Sequence, residues 1–256
     1  MNPTAPGYEL ALTDGVAEIR LGCGKANALN PRSVSAVARA FEDAEHAGSR
    51  GVVLTGYDRY FSAGLDLVSL YDLERPAMDA FVREFDRTML RVFAFPRPVV
   101  AAVNGHAVAG GCILALACDA RLVREDDDVR IGLNEIRLGL PFPASALEIA
   151  RQAIPTAALE SVLYGGALYR PAEALGRGFI DGLASGGDVR AEALVLCRRL
   201  CEAPTDAFAT IKGALKDPAV RRASAALDEL RRAFVDAWFS PEARRRIGEA
   251  RSRLRG

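Results

Sequence analysis

Two Ala-Gly pairs, Ala63-Gly64 and Ala109-Gly110, stand 46 residues apart in this 256-residue chain. Each follows an apolar run and a short loop, and each opens what reads as a helix. The first amides of a helix have no internal partner, and the helix dipole is positive there. The backbone N–H groups of Ala63 and Gly110 could therefore converge on a carbonyl oxygen and hold the negative charge that develops on it. Losing one donor of that kind typically costs roughly 10² to 10³ in rate. Cys112 to Cys118 carry no charge. Such a run buries the helix and strengthens its field by lowering the local dielectric. Glycine is costly inside a helix but natural where backbone must approach something closely. For these residues taken alone, an ordinary tight turn into a buried helix is the simpler reading.

Other chemistries lack their residues. There is no phosphate-binding P-loop, "GCGKAN" lacks the third glycine of a dinucleotide fingerprint, and no GxSxG occurs. His46 and His106 are the only histidines. His46 falls on a polar helix face. His106, beside the Gly-rich turn, reads as a structural hydrogen-bonding residue. The five cysteines include no CxxC and no Cys/His pairing, so they read as small core residues in a reducing compartment, and no metal site is expected. Glu135, taken alone, reads as a turn-forming or salt-bridging surface residue.

The elements that must position the two turns are legible. "GVAEIRLG" predicts a strand with Ala17, Ile19 and Leu21 on one face. "NPRSVSAVARAFEDAEHAG" predicts a helix, with Asn30 as N-cap, Pro31 in its first turn and Gly48 at its end. "GVVLTG" and "RPVVAAVNG" predict buried strands. Residues 52 to 64 and 99 to 110 share a strand-glycine-loop-Ala-Gly pattern, the mark of stacked superhelical turns unless it is chance. From about residue 143 the pattern is mainly helical, punctuated by Pro155, Pro171 and Pro204. Leu227, Leu230, Phe234 and Trp238 form one stripe. Residues 196–256 form a C-terminal helical region in this reading, set against a 1–195 core.

Lys plus Arg and Asp plus Glu number 33 each, so the charge balance points to no nucleic-acid partner. No apolar run reaches the roughly 18 residues that span a bilayer, so no membrane association is expected. "MNPTAPGYEL" shows no basic and apolar leader pattern. A cytoplasmic protein is the expectation. The basic tail "RRRIGEARSR" reads as a solvated helix face.

"FSAGLDL" (61–67), "NGHAVAGGCILALACDARL" (104–122) and "IGLNEIRLGL" (131–140) together resemble the crotonase, or enoyl-CoA hydratase/isomerase, superfamily. The resemblance covers nearly the whole chain. It implies an α/β fold, a ββα superhelical spiral with a C-terminal helical region used in trimer assembly, as a homotrimer or dimer of trimers. It implies an acyl-CoA thioester substrate, with coenzyme A entering as part of the substrate and no other cofactor. Carried over by position, the oxyanion donors are Ala63 and Gly110. "KANALN" matches the segment that runs along the CoA nucleotide and pantetheine, through Lys25, Ala26 and Ala28. Ser62, Gly64, Leu65, Asp66 and Gly111 are then substrate-binding.

Hydratases of this superfamily use two glutamates. Here the first position is Ile113 and the second is Glu135. This pattern looks most like the mitochondrial-type Δ3-Δ2-enoyl-CoA isomerase branch, in which one base takes a proton from C2 and returns it at C4. Leu65, Leu70, Ile113, Leu140 and Phe142 are expected to line the acyl pocket. Two alternatives stand beside this one. The first is a hydratase or other crotonase-type lyase or hydrolase that recruits Asp66 or Glu74. The second is a non-catalytic acyl-CoA-binding subunit. The resemblance leaves Arg244, Arg245 and Arg246 as unplaced candidates for the CoA phosphates.

Overall fold

Asn30 begins the first helix as the sequence requires: its side chain accepts from the Arg32 and Ser33 N–H groups, and Ser33 Oγ accepts in return from the Asn30 N–H. The computed structural model describes residues 7–255. Residues 1–6, six of the ten read for a leader, lie outside the described residues.

The elements run β1 (Tyr8–Thr13), β2 (Val16–Leu21), α1 (Pro31–His46), β3 (Gly51–Thr55), β4 (Tyr60–Ser62), α2 (Leu67–Leu70), α3 (Arg75–Phe93), β5 (Val99–Val103), β6 (His106–Val108) and α4 (Gly110–Ala117). Then follow β7 (Ala120–Arg124), β8 (Ile131–Gly132), α5 (Ala144–Ala153), α6 (Thr156–Gly165), α7 (Pro171–Gly176), β9 (Gly182–Ala184), α8 (Val189–Leu200), α9 (Thr205–Trp238) and α10 (Pro241–Arg255). Short 3₁₀ turns occupy Lys25–Asn27 and Glu135–Leu138.

The larger sheet has the order β1-β2-β3-β5-β7-β9 and the smaller β4-β6-β8. From β2 onward the large sheet is parallel. The sequence repeat is the spiral itself. β3 pairs with β5 through Val52↔Val99, and β4 pairs with β6 through Tyr60↔His106. Each turn thus gives one strand to each sheet, and β7 and β8 make the third turn. Every residue of β3 and β5 is buried, as expected of parallel strands covered on both faces.

Three features differ from the expectation. β1 was not legible as a strand, because most of its residues are exposed and it lacks a clean alternation. It pairs antiparallel with β2 across Asp14-Gly15, whose positive φ values suit a tight hairpin turn. β9 interrupts the mainly helical stretch. A boundary at residue 196 falls inside α8, which packs on β3, β5 and β7 and belongs with the sheet. α9 is 34 residues long in all and continues through Pro218. Among the described residues no helix is long and apolar enough to cross a membrane.

Candidate active site

The β4–β6 pairing brings the two Ala-Gly turns into contact. Gly64 has φ +78°, and a Cβ there would stand 2.5 Å from the Val108 carbonyl oxygen and 3.3 Å from the Gly110 nitrogen. A Cβ on Gly111 would collide with the Ser62 carbonyl oxygen. Ala109, at φ 50°, holds a left-handed conformation without being glycine. Strain of this sort costs about 1–3 kcal/mol and persists where the surroundings enforce it. Here it turns the chain from β6 into α4 and sets Gly110 at the first helical position.

The amides of the first turn differ in occupancy. Ala63 N–H donates to the Ala26 carbonyl at 3.0 Å, so it is spent, contrary to its expected role as an oxyanion donor. Gly64 N–H faces Ser62 Oγ at 3.3 Å. Leu29 bridges the next residue, donating to the Gly64 carbonyl at 2.7 Å and accepting from Asp66 N–H at 2.9 Å. That ladder leaves out the Leu65 N–H. Among the described residues, neither Leu65 N–H nor Gly110 N–H has a hydrogen-bond partner.

The "KANALN" segment is built against this turn. Buried Asn27 donates to the Leu21 and Phe61 carbonyls and accepts from Cys23 N–H. Ser62 Oγ donates to the Asn27 carbonyl at 2.8 Å. Ala26 and Ala28 are half-buried and Lys25 is exposed beside them. Asn27 was missed in sequence because its partners lie on β2 and β4. Asp66 caps α2, its Oδ1 accepting from Val68 and Ser69 N–H and its Oδ2 from Asn30. Burial pushes this carboxyl up, but hydrogen bonds from Ser69, Asn30 and Val68 outweigh it and hold it below its usual range.

Glu135 is buried, not a surface residue. It opens the 3₁₀ turn Glu135–Leu138, and its Oε2 has no partner among the described residues. Burial pushes its carboxyl up to about 8, opposed only by a hydrogen bond from its own backbone. It lines a cavity of about 320 Å³ together with Leu65 and Gly110. α3 contributes Phe81, Val82 and Phe85 to the walls, the start of α5 contributes Pro143 and Ala146, and α9 contributes Phe234. Of the other expected lining residues, Leu70, Ile113 and Leu140 are buried in the core and Phe142 packs against it; none faces this cavity. The pair Phe81 and Phe85, one helical turn apart, is a signal that the sequence held. Only the fold shows which helices close over the turns.

His106 plays the structural part expected of it: its Nδ1 accepts from Arg130 N–H at 3.1 Å, and burial together with Arg59 and Arg130 lowers its pKa. The three tail arginines are engaged within the chain. Arg244 lies over the Tyr71 ring at 3.5 Å and donates to the Tyr71 carbonyl. Arg245 pairs with Glu242 and Glu249, and Arg246 pairs with Glu242 and donates to the Arg137 carbonyl. Through these contacts α10 braces α2 and the 3₁₀ turn that carries Glu135. Among the described residues no group of three or more His, Cys, Asp or Glu is placed to hold a metal ion.

A buried carboxyl facing two unpartnered amides in an apolar cavity can move a proton beside a polarised carbonyl. Known proteins are similar to this one along most of the chain. A Thermus thermophilus protein under an enoyl-CoA hydratase name is 36% identical over 184 residues, 70% of this chain and 72% of that protein. The mouse mitochondrial enoyl-CoA delta isomerase 1 is 33% identical over 181 residues, 70% of this chain and 63% of its own length. The crystal structure of human mitochondrial Δ3-Δ2-enoyl-CoA isomerase superposes with a TM-score of 0.92 at 27% identity, covering 97% of this chain and 98% of that one. Residues 12–251 match the enoyl-CoA hydratase/isomerase family, and the chain belongs to it.

Proposed function

We propose that this enzyme shifts the double bond of a 3-enoyl-CoA to the conjugated 2-position, with Glu135 as the single proton shuttle. One observation carries the reading: among the described residues, Glu135 is the sole ionisable one lining a cavity otherwise made of apolar residues, Leu65 and Gly110 included. In this reading the thioester oxygen sits between the Leu65 and Gly110 N–H groups, with Leu65 replacing Ala63 as the first donor. The Glu135 carboxylate takes a proton from C2. The C–H electron pair moves toward the thioester, and the oxygen gains charge that the two amides hold. The conjugated dienolate then takes the proton back at C4, the double bond comes to rest between C2 and C3, and Glu135 is ionised again. No atom is gained or lost. The CoA moiety follows the Lys25, Ala26 and Ala28 segment past Ser62 and Gly64.

Hydration needs a second group to hold and activate water. Ile113 is buried and apolar, the Asp66 oxygens are occupied by the α2 cap and Asn30, and Glu74 is exposed ahead of α3. Neither acid lines the cavity. The deciding experiment incubates the protein with 3-hexenoyl-CoA and with crotonyl-CoA, following conjugated-thioester absorbance and mass. The expected result is conjugation of the first without mass change, lost by about 10² to 10⁴ in Glu135→Gln. Gain of water by crotonyl-CoA at an enzyme-like rate would instead establish a hydratase. CoA-ester binding without turnover would establish a binding subunit.

A further inference from the structure

The large sheet has a second covered face, opposite the cavity. There α8 packs over Val16, Val53, Val100 and Ala102. Cys197 and Cys201 lie one helical turn apart at its C-terminal end, and both sulfurs sit over Gly51. A Cβ on that residue would stand 2.7 Å from Cys197 Sγ and 2.6 Å from Cys201 Sγ. Glycine in β3 is thus what leaves room for two sulfurs at one spot. Cys201 Sγ donates to the Arg50 carbonyl at 3.2 Å, and Cys197 Sγ donates to the Val52 carbonyl at 3.7 Å.

Both thiols are buried, and only Cys201 reaches the edge of a pocket. Cys201 lines a small open pocket with Arg50, Arg97, Pro98 and Phe208. The Arg50 guanidinium is tied to the Cys201 carbonyl, which keeps a cation beside the thiol. Cations and donated hydrogen bonds favour the reactive thiolate. The neighbouring Cys197 thiol lowers the Cys201 pKa most, burial opposes this, and Arg50 adds to the lowering. The remaining cysteines differ: burial pushes Cys23 up to about 11 and raises Cys112 and Cys118 as well. Cα atoms four residues apart in a helix are about 6 Å apart, within the roughly 4.4–6.8 Å that a disulfide spans. Their Cβ atoms, about 5–6 Å apart, must close to about 4 Å, a change that falls on the end of α8, where Cys201 is the C-cap.

We propose that Cys201 and Cys197 form a redox couple that a hydroperoxide oxidises to an intrahelical disulfide. The Cys201 thiolate attacks a peroxide oxygen, the O–O bond breaks, and water or an alcohol leaves with the proton. Cys201 is then a sulfenic acid. The Cys197 sulfur attacks it, the S–S bond forms, and the S–O oxygen departs as water with the Cys197 proton. The two thiols give up two electrons and two protons in all, and the peroxide is reduced. A dithiol reductant reverses the change.

The test treats the full chain with a small molar excess of hydrogen peroxide, alkylates the remaining thiols after unfolding, and reads intact and peptide masses. The expected product has lost two hydrogens, carries a Cys197–Cys201 linkage, leaves Cys23, Cys112 and Cys118 alkylated, and reverts with dithiothreitol. In Cys197→Ser, Cys201 stops at the sulfenic acid and is captured by dimedone. If that variant does not fold, the wild-type masses decide alone. No mass change, oxidation of Cys23 ahead of the pair, or overoxidation of Cys201 without a linkage overturns the proposal. None of these readouts uses enoyl-CoA turnover, so they stand apart from the proposed isomerase activity.

Discussion

A base that must also return its proton works best with a pKa near the working pH. Burial has moved Glu135 up to about 8, into that range. The catalytic form is the carboxylate, so kcat/KM for 3-hexenoyl-CoA should rise with pH and level off above about 8. A profile that is flat or falling through neutral pH would contradict the role. The same shift acts on stability. The folded state penalises ionised Glu135, so stability is fullest below the ordinary glutamate value of 4.5 and is lost as pH rises through about 8. Thermal melts of Glu135→Gln should therefore gain on wild type as the buffer becomes more alkaline. At this scale Gly110 was legible in sequence because a Gly-Gly pair ahead of an uncharged run marks a buried helix start. The free N–H of Leu65 was not. Whether Ala63 or Leu65 keeps a free N–H is decided by Ala26, whose carbonyl arrives from a distant segment and occupies Ala63.

At the scale of elements, the spacing of the two Ala-Gly turns was readable because parallel strands in adjacent turns pair at the repeat length, as Val52↔Val99 and Tyr60↔His106 do. The contact between those turns depends on Gly111. Helix propensity alone predicts that Gly111→Ala stabilises by up to about 1 kcal/mol. The collision with the Ser62 carbonyl predicts the reverse: a loss of about 1–3 kcal/mol in chemical denaturation. Turnover should fall by about 10² as the turns are pushed apart. A variant both more stable and fully active would show that the two turns yield without cost. β1 and the cavity walls were illegible for related reasons. An exposed edge strand such as β1 has too few buried positions to show a period, and the walls from α3, α5 and α9 depend on how helices far apart in sequence fold together.

For the whole molecule, α9 keeps Ile211 and Leu215 each 62% exposed, although its other end buries Phe234 and Trp238 in the core. Covering that apolar surface favours association, in line with the trimeric assembly that the sequence resemblance implies. Light scattering should return three or six times the 27.4 kDa of one chain, and a monomer at working concentration would refute this. The resemblance of fold at low identity, a TM-score of 0.92 with 27% of residues shared, has a counterpart in the two unpartnered amides. Every amino acid except proline brings a main-chain N–H. Neutral drift can therefore rewrite the side chains around positions 65 and 110 without deleting the two free N–H groups, provided the backbone path survives. Selection on such a site falls on geometry, held by glycines and by Asn27, and on one carboxyl. A lineage can then exchange its reaction by changing a few acids while the backbone that presents the two amides passes on unaltered.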